Sequence, residues 1–290
     1  RIGIVFFFSH FRPYSSNAQE KIYCLSPQTS NGKIERQRYA RKQSRKELFM
    51  KLVIVRHADP DYSIDSLTPT GWREAELLSE RLVKTPADAY YVSPLGRAQD
   101  TASYTLNRLG RKAETLDWLR EFSYPVKLPY LDAPHLSWDF LPGFYSEIED
   151  LYDPVKWKEV ALMREAGIGT YYRQVTDGLD RLLESHGYKR NGKIYDVLSA
   201  NRDTIVFFCH FGLECYLLSH LLYISPVALT HGFVAAPSSV TTLNTEEREK
   251  GKAIFRCASF GDISHLYCAG EEPAFSARYC ETFDCEDERH

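Results

Sequence analysis

Two kinds of apolar spacing alternate along this chain from residue 50 onward. Short continuous apolar runs read as strands buried on both faces, and longer stretches with apolar residues three and four apart read as one-sided helices. The first run is "KLVIV" (51–55), followed by a helical stretch "TGWREAELLSERLVK" (70–84). The alternation repeats with "DAYYVS" (88–93) as a strand, "LGRAQDTASYTLNRL" (95–109) as a helix and "KAETL" (112–116) as a short strand. Farther on, "GTYYRQVTDGLDRLLESHG" (169–187) predicts a helix ending at a glycine, and "YKRNGKIYDV" (188–197) a hairpin turning at Asn191-Gly192. "DTIVFFCH" (203–210) is the most hydrophobic strand, "LECYLLSHLL" (213–222) the helix behind it, and "SVTTLN" and "AIFRCAS" closing strands. This order predicts an α/β domain, a three-layer sandwich with a mainly parallel central sheet flanked by helices. In such sheets ligands bind beyond the carboxyl ends of the strands.

Composition narrows the class. The chain has 290 residues, 43% of them hydrophobic and 26% charged, as an ordinary globular protein has. Its longest apolar run, residues 2–8, is far shorter than the roughly 20 residues of a membrane span. The seven cysteines are odd in number and scattered, which fits reduced thiols and a cytoplasmic protein better than a disulfide framework. Residues 1–49 carry ten Lys and Arg against three acids, +7, whereas residues 50–290 carry 26 against 36, or −10. An acidic globular part argues against nucleic acid as a partner, and a bound anion must be held by a few local cations.

Residues 1–49 lack sustained periodicity and read as a leader ahead of Met50, with a basic arm for acidic partners as the alternative. Residues 50–266 read as the folded domain and 267–290 as an appendage rich in acids and cysteines. Within the domain, residues 122–166 hold nine aromatics punctuated by prolines and read as a compact lid at a partly apolar pocket mouth.

The candidate chemistry lies at strand ends. Arg56 and His57 follow the first strand, Arg97 falls in the first turn of the helix after the second, and His210 closes the strand "DTIVFFCH". Two guanidinium forks and two imidazoles on one rim make a phosphate cradle, because a planar fork matches phosphate oxygens in pairs. Each residue also has a plain structural reading: His57 and His210 as core histidines, and Arg97 as the partner of Asp100. Their joint occurrence favours the site. A zinc site from His265, Cys268, Cys280 and Cys285 is disfavoured, since the paired C-x-x-C spacing is missing.

"VIVRHA" (53–58), "SPLGRAQDTA" (93–102), the glutamate of "LREF" (119–122) and "CHFG" (209–212) resemble, in order, the motifs of the histidine phosphatase superfamily, also called phosphoglycerate mutase-like; "LTPTG" (67–71) fits as well. The resemblance spans about residues 50–266. It implies a metal-independent phosphatase that hydrolyses a phosphate monoester through a phosphohistidine on His57, without metal or organic cofactor. Arg56 and Arg97 would bind the phosphoryl group and keep His57 uncharged, and His210 would donate to the equatorial oxygens. Glu121 would protonate the leaving alcohol, held ionised by the arginines until a phosphate dianion is bound; Glu114 and Glu147 are rival carboxylates.

Two departures stand out. Phe211 follows the second histidine where glycine is usual, narrowing the pocket while its N–H faces phosphate. "ADPDY" (58–62) replaces a glycine-and-threonine stretch, with Tyr62 as a substitute contact. The basic loop of the mutases is missing after Glu121. A phosphomutase and a catalytically silent phosphate-binding module are therefore the alternatives. The expected partner is a small phosphorylated substrate, with neither nucleic acid nor membrane, and a homodimer is left open.

Overall fold

The computed structural model describes residues 49–274, 282, 283 and 285. The leader, apart from Phe49, and Cys280 of the zinc reading thus lie outside the described residues. The chain divides into residues 1–46 and a unit of residues 47–290, and every described element belongs to the second unit.

Eight strands form one sheet: β1 (Lys51–Arg56), β2 (Ala89–Val92), β3 (Glu114–Thr115), β4 (Tyr188–Asn191), β5 (Ile194–Val197), β6 (Thr204–Cys209), β7 (Val240–Glu249) and β8 (Lys252–Asp262). Their spatial order is β3-β2-β6-β1-β7-β8-β5-β4. The first four are parallel neighbours. From β1 onward the sheet continues antiparallel through β7, β8, β5 and β4. The parallel half contains the predicted site strands, and the turn at Asn191-Gly192 is the expected hairpin, with Gly192 at φ +61°.

Strand alternation explains the layers. Leu52, Ile54, Ile205, Phe207 and Cys209 point into the larger core, and Val53, Val55, Val206 and Phe208 into the smaller one on the opposite face. Helices α1 (Pro69–Leu82) and α2 (Gly96–Leu109) cover the smaller core. Helices α3 (Ile168–Ser185), α4 (Phe211–Leu222) and the short α5 (Pro226–Gly232) cover the larger one. The final helix, α6 (Ser264–Ala269), packs on α1.

Helix α1 starts where the sequence says it should. Thr68 accepts from the Gly71 N–H and Pro69 fills the first turn, where its missing N–H is harmless. By contrast, Leu95 at the start of α2 offers no side-chain cap.

Helix α4 is buried almost all round, an unusual state for a helix on a sheet. The segment 122–166 is the reason. Phe122 stacks on Tyr216 at 3.7 Å, and Trp157 meets the same ring edge-on at 5.7 Å. Trp138, Leu151 and Trp157 are buried in the same core. These rings roof α4. Among the described residues no helix is long and apolar enough to cross a membrane.

Candidate active site

The parallel ladder brings the strand ends together. The His57 N–H donates to the Cys209 carbonyl at 2.9 Å and the Ser93 N–H to the Phe208 carbonyl at 2.9 Å. Residues just past β1, β6 and β2 therefore share one edge. On the other side of β1, the Arg56 N–H reaches the Ser239 carbonyl and the Ser238 N–H the His57 carbonyl, at 3.1 and 3.0 Å.

His57 is only 2% exposed. Its Nδ1 lies 2.8 Å from the Ala58 carbonyl oxygen. A carbonyl only accepts, so Nδ1 carries the proton and the neutral ring presents a bare lone pair at Nε2. Burial, then Arg56 and Arg97, hold its pKa well below the histidine range, so the ring is uncharged at neutral pH. The arginines were the expected cause; withdrawal from water is the larger one.

His210 lies beside it, with ring centroids 5.1 Å apart. Its pKa is also well below the ordinary value, through burial first, then the cost of charging it beside His57 and the charges of Arg97 and Arg56. Its Nε2 is 2.8 Å from the Ser93 hydroxyl. Ser93 lies within the "SPLGRAQDTA" motif, but this contact needs the sheet to form.

Arg56 is 2% exposed, and Nη1 donates to the Ala235 carbonyl. Its guanidinium lies 5.6 Å from the centroid of Phe211, itself 1% exposed and edge-on to Trp138. Phe211 thus backs the arginine and stacks in the core, which is how a bulky residue fits after His210.

Arg97 pairs with Asp65, not with Asp100, at 2.6 Å. Asp100 instead accepts from the Ser66 hydroxyl. The Tyr62 ring lies over Arg97 at 5.3 Å and remains 63% exposed at the rim. Ala58 is pinned by its N–H to the Thr101 hydroxyl at 2.9 Å. The buried Glu74 accepts from the Asp59 N–H at 2.9 Å and from the Ala274 N–H at 3.0 Å, tying the loop after His57 to the chain beyond α6.

Glu121 is brought to the start of α4. Oε1 accepts from the N–H groups of Phe122 and Leu213 at 2.7 and 2.8 Å, and Oε2 from that of Gly212 at 3.3 Å. Gly212 is required there, since a Cβ would stand 2.7 Å from Oε1 and from the Trp138 ring. Burial raises the Glu121 pKa and outweighs those N–H groups and the charges of Arg56 and Arg97. The arginines were expected to dominate this carboxyl group; burial is the larger influence, and the net shift is upward. Glu114 and Glu147 are exposed.

Both helices that follow site strands thus have their first N–H groups taken by carboxylates from elsewhere: Asp65 on Gly96 at 2.7 Å, and Glu121 on Gly212 and Leu213. At the start of α2 the Gly96 N–H is therefore already taken. An anion here meets guanidinium and imidazole groups instead. Among the described residues no group of three or more His, Cys, Asp or Glu is placed to hold a metal.

Residues 52–127 match the histidine phosphatase superfamily (branch 1). A putative phosphoserine phosphatase 2 of Hydrogenobacter thermophilus is 36% identical over 83 residues, covering 26% of this chain and 41% of the relative. The chain thus spans about two fifths of the length of the curated relative it matches. Among solved structures, a phosphoserine phosphatase of Entamoeba histolytica in complex with phosphoserine superposes with a TM-score of 0.51 at 19% identity, over 75% of this chain and 99% of that one. A mycobacterial hydrolase superposes with a TM-score of 0.51 at 20% identity, over 77% and 98%. These similarities show the fold. The segment matched by the family model contains Arg56, His57, Arg97 and Glu121.

Proposed function

We propose that this protein is a metal-independent phosphatase that hydrolyses a small phosphate monoester through a phosphohistidine on His57. The observation that carries the reading is the state of His57: buried, uncharged, its Nδ1–H fixed on the Ala58 carbonyl and its Nε2 lone pair left for attack. The name of the bacterial relative, a phosphoserine phosphatase, supports hydrolysis of a small phosphorylated substrate.

In this mechanism the Nε2 lone pair attacks phosphorus, the bond from phosphorus to the ester oxygen breaks, and Glu121 gives its proton to the departing alcohol. Water then attacks the phosphohistidine, Glu121 takes a proton from it, and the P–N bond breaks to release phosphate. Arg56 and Arg97 neutralise the phosphoryl oxygens, and His210 donates to them as charge redistributes. Glu121 is suited to the first proton transfer because burial keeps it protonated to higher pH than an exposed carboxylate.

The test is partitioning of a common intermediate. With an added alcohol as competing acceptor, esters with different leaving groups should give one constant ratio of transferred to hydrolysed phosphate, and His57→Asn should abolish both products. A ratio that varies with the leaving group refutes the covalent route. Activity unchanged by a chelator is the expected result for metal independence.

A further inference from the structure

We propose that Asp65 is a positioning residue that holds the Arg97 guanidinium in register with His57; this rests on the phosphatase reading above. Asp65 comes from the loop after β1, 32 positions before the arginine in sequence. It makes two bonds with one carboxylate: Oδ1 to Arg97 Nη1 at 2.6 Å and Oδ2 to the Gly96 N–H at 2.7 Å. It thereby supplies the cap that Leu95 lacks, and aligns the first turn of α2 and its arginine together.

The loop is built around this contact. Asp65 sits at φ +49°, a conformation few residues other than glycine adopt. A Cβ on Gly96 would stand 2.0 Å from the Asp65 carbonyl oxygen, so only glycine admits the loop. Ser66 adds a third tie to α2 through its bond to Asp100 at 2.6 Å.

Asp65 could instead be an internal anion filling the place of phosphate. The geometry favours positioning. The carboxylate takes the Nη1 corner, whereas Arg97 Nε is buried and has no partner. The arginine side chain is 11% exposed, and its charge still acts on both His57 and His210. An edge of the fork is thus left over for a second acceptor, and a phosphoryl oxygen fits it.

The test is phosphate affinity, measured by isothermal titration with inorganic phosphate on wild type, Asp65→Asn, Asp65→Ala, Arg97→Ala and the Asp65→Ala/Arg97→Ala double variant. Asn keeps an acceptor for Gly96 but removes the charge that holds the guanidinium. Positioning predicts about tenfold weaker binding in Asp65→Asn with little change in melting temperature. It also predicts that Asp65→Ala adds no loss of affinity once Arg97 is gone. Phosphate bound by Asp65→Asn as tightly as by wild type, or tighter, overturns the proposal, as does full additivity in the double variant. Should Asp65→Ala not fold, the Asp65→Asn comparison decides alone. Wild-type protein that binds no phosphate overturns the phosphatase reading itself, and the proposal with it.

Discussion

Gly212→Ala tests the role of Glu121 by displacing its carboxyl group without replacing the residue. The new Cβ would lie 2.7 Å from Oε1 and from the Trp138 ring, where ordinary contact begins near 3.4 Å, so something must retreat by about 0.7 Å. Trp138 is 4% exposed, packed on Phe211 and bonded through Nε1 to the Phe122 carbonyl, so it resists movement. The carboxyl group moves instead. Its bond from the Gly212 N–H, already 3.3 Å, breaks, and the one from Leu213 stretches beyond 2.8 Å. Crowding of this kind destabilises by about 1–3 kcal/mol, and a misplacement near 1 Å lowers turnover by up to roughly 10²-fold. That loss should appear only where a proton must be delivered. An alkyl phosphate should lose about 10–100-fold in kcat, whereas p-nitrophenyl phosphate, whose leaving group departs as a stable anion, should stay within about threefold. Equal losses on both esters would refute the assignment of Glu121 as proton donor.

The pH dependence of activity follows from the two opposite shifts. With an alkyl ester, kcat/KM should fall at low pH as His57 charges through a pKa well below 6.5, and at high pH as Glu121 ionises through a pKa raised by burial; in Glu121→Gln the alkaline limb should vanish. Glu214, 1% exposed on α4, has a pKa pushed up to about 7 by burial, so the fold binds a proton that the unfolded chain has already lost between about pH 4.5 and 7. Its stability is therefore lost as pH rises through that window. Denaturant titrations should show Glu214→Gln gaining on wild type from pH 5 to 8, by on the order of 3 kcal/mol; a pH-independent difference would contradict the buried titration. Gly71→Ala and Gly96→Ala each drive a Cβ to within 2.1 Å of a loop carbonyl, at Asp59 and Asp65 respectively. Both should lower the melting temperature and raise KM, by displacing the loop that holds Tyr62 and Asp65.

What could be read along the chain was what depends on local pattern. The runs at 51–55 and 203–210 are strands because alternate residues fill two cores at once, and they end on His57 and His210. The antiparallel half was visible only as closing strands, since pairing β7 with β1 on one side and β8 on the other is a property of the assembled sheet. Asp65 was hidden for a related reason: it caps a helix 31 residues downstream, and a cap is legible only when it is adjacent in sequence. The direction of the Glu121 shift was not legible because charges can be counted in a sequence but burial cannot. The aromatic density at 122–166 was apparent, but its packing over α4 is visible only in the assembled fold.

The central claim concerns one nitrogen. Protein mixed with an excess of phosphate monoester, denatured in alkali and digested should yield the His57 peptide phosphorylated at Nε2, identified by ³¹P NMR and fragmentation mass spectrometry. Phosphate on Nδ1 would contradict the tautomer drawn from the Ala58 contact. Turnover with no phosphorylated His57 at any time point would contradict the covalent mechanism altogether.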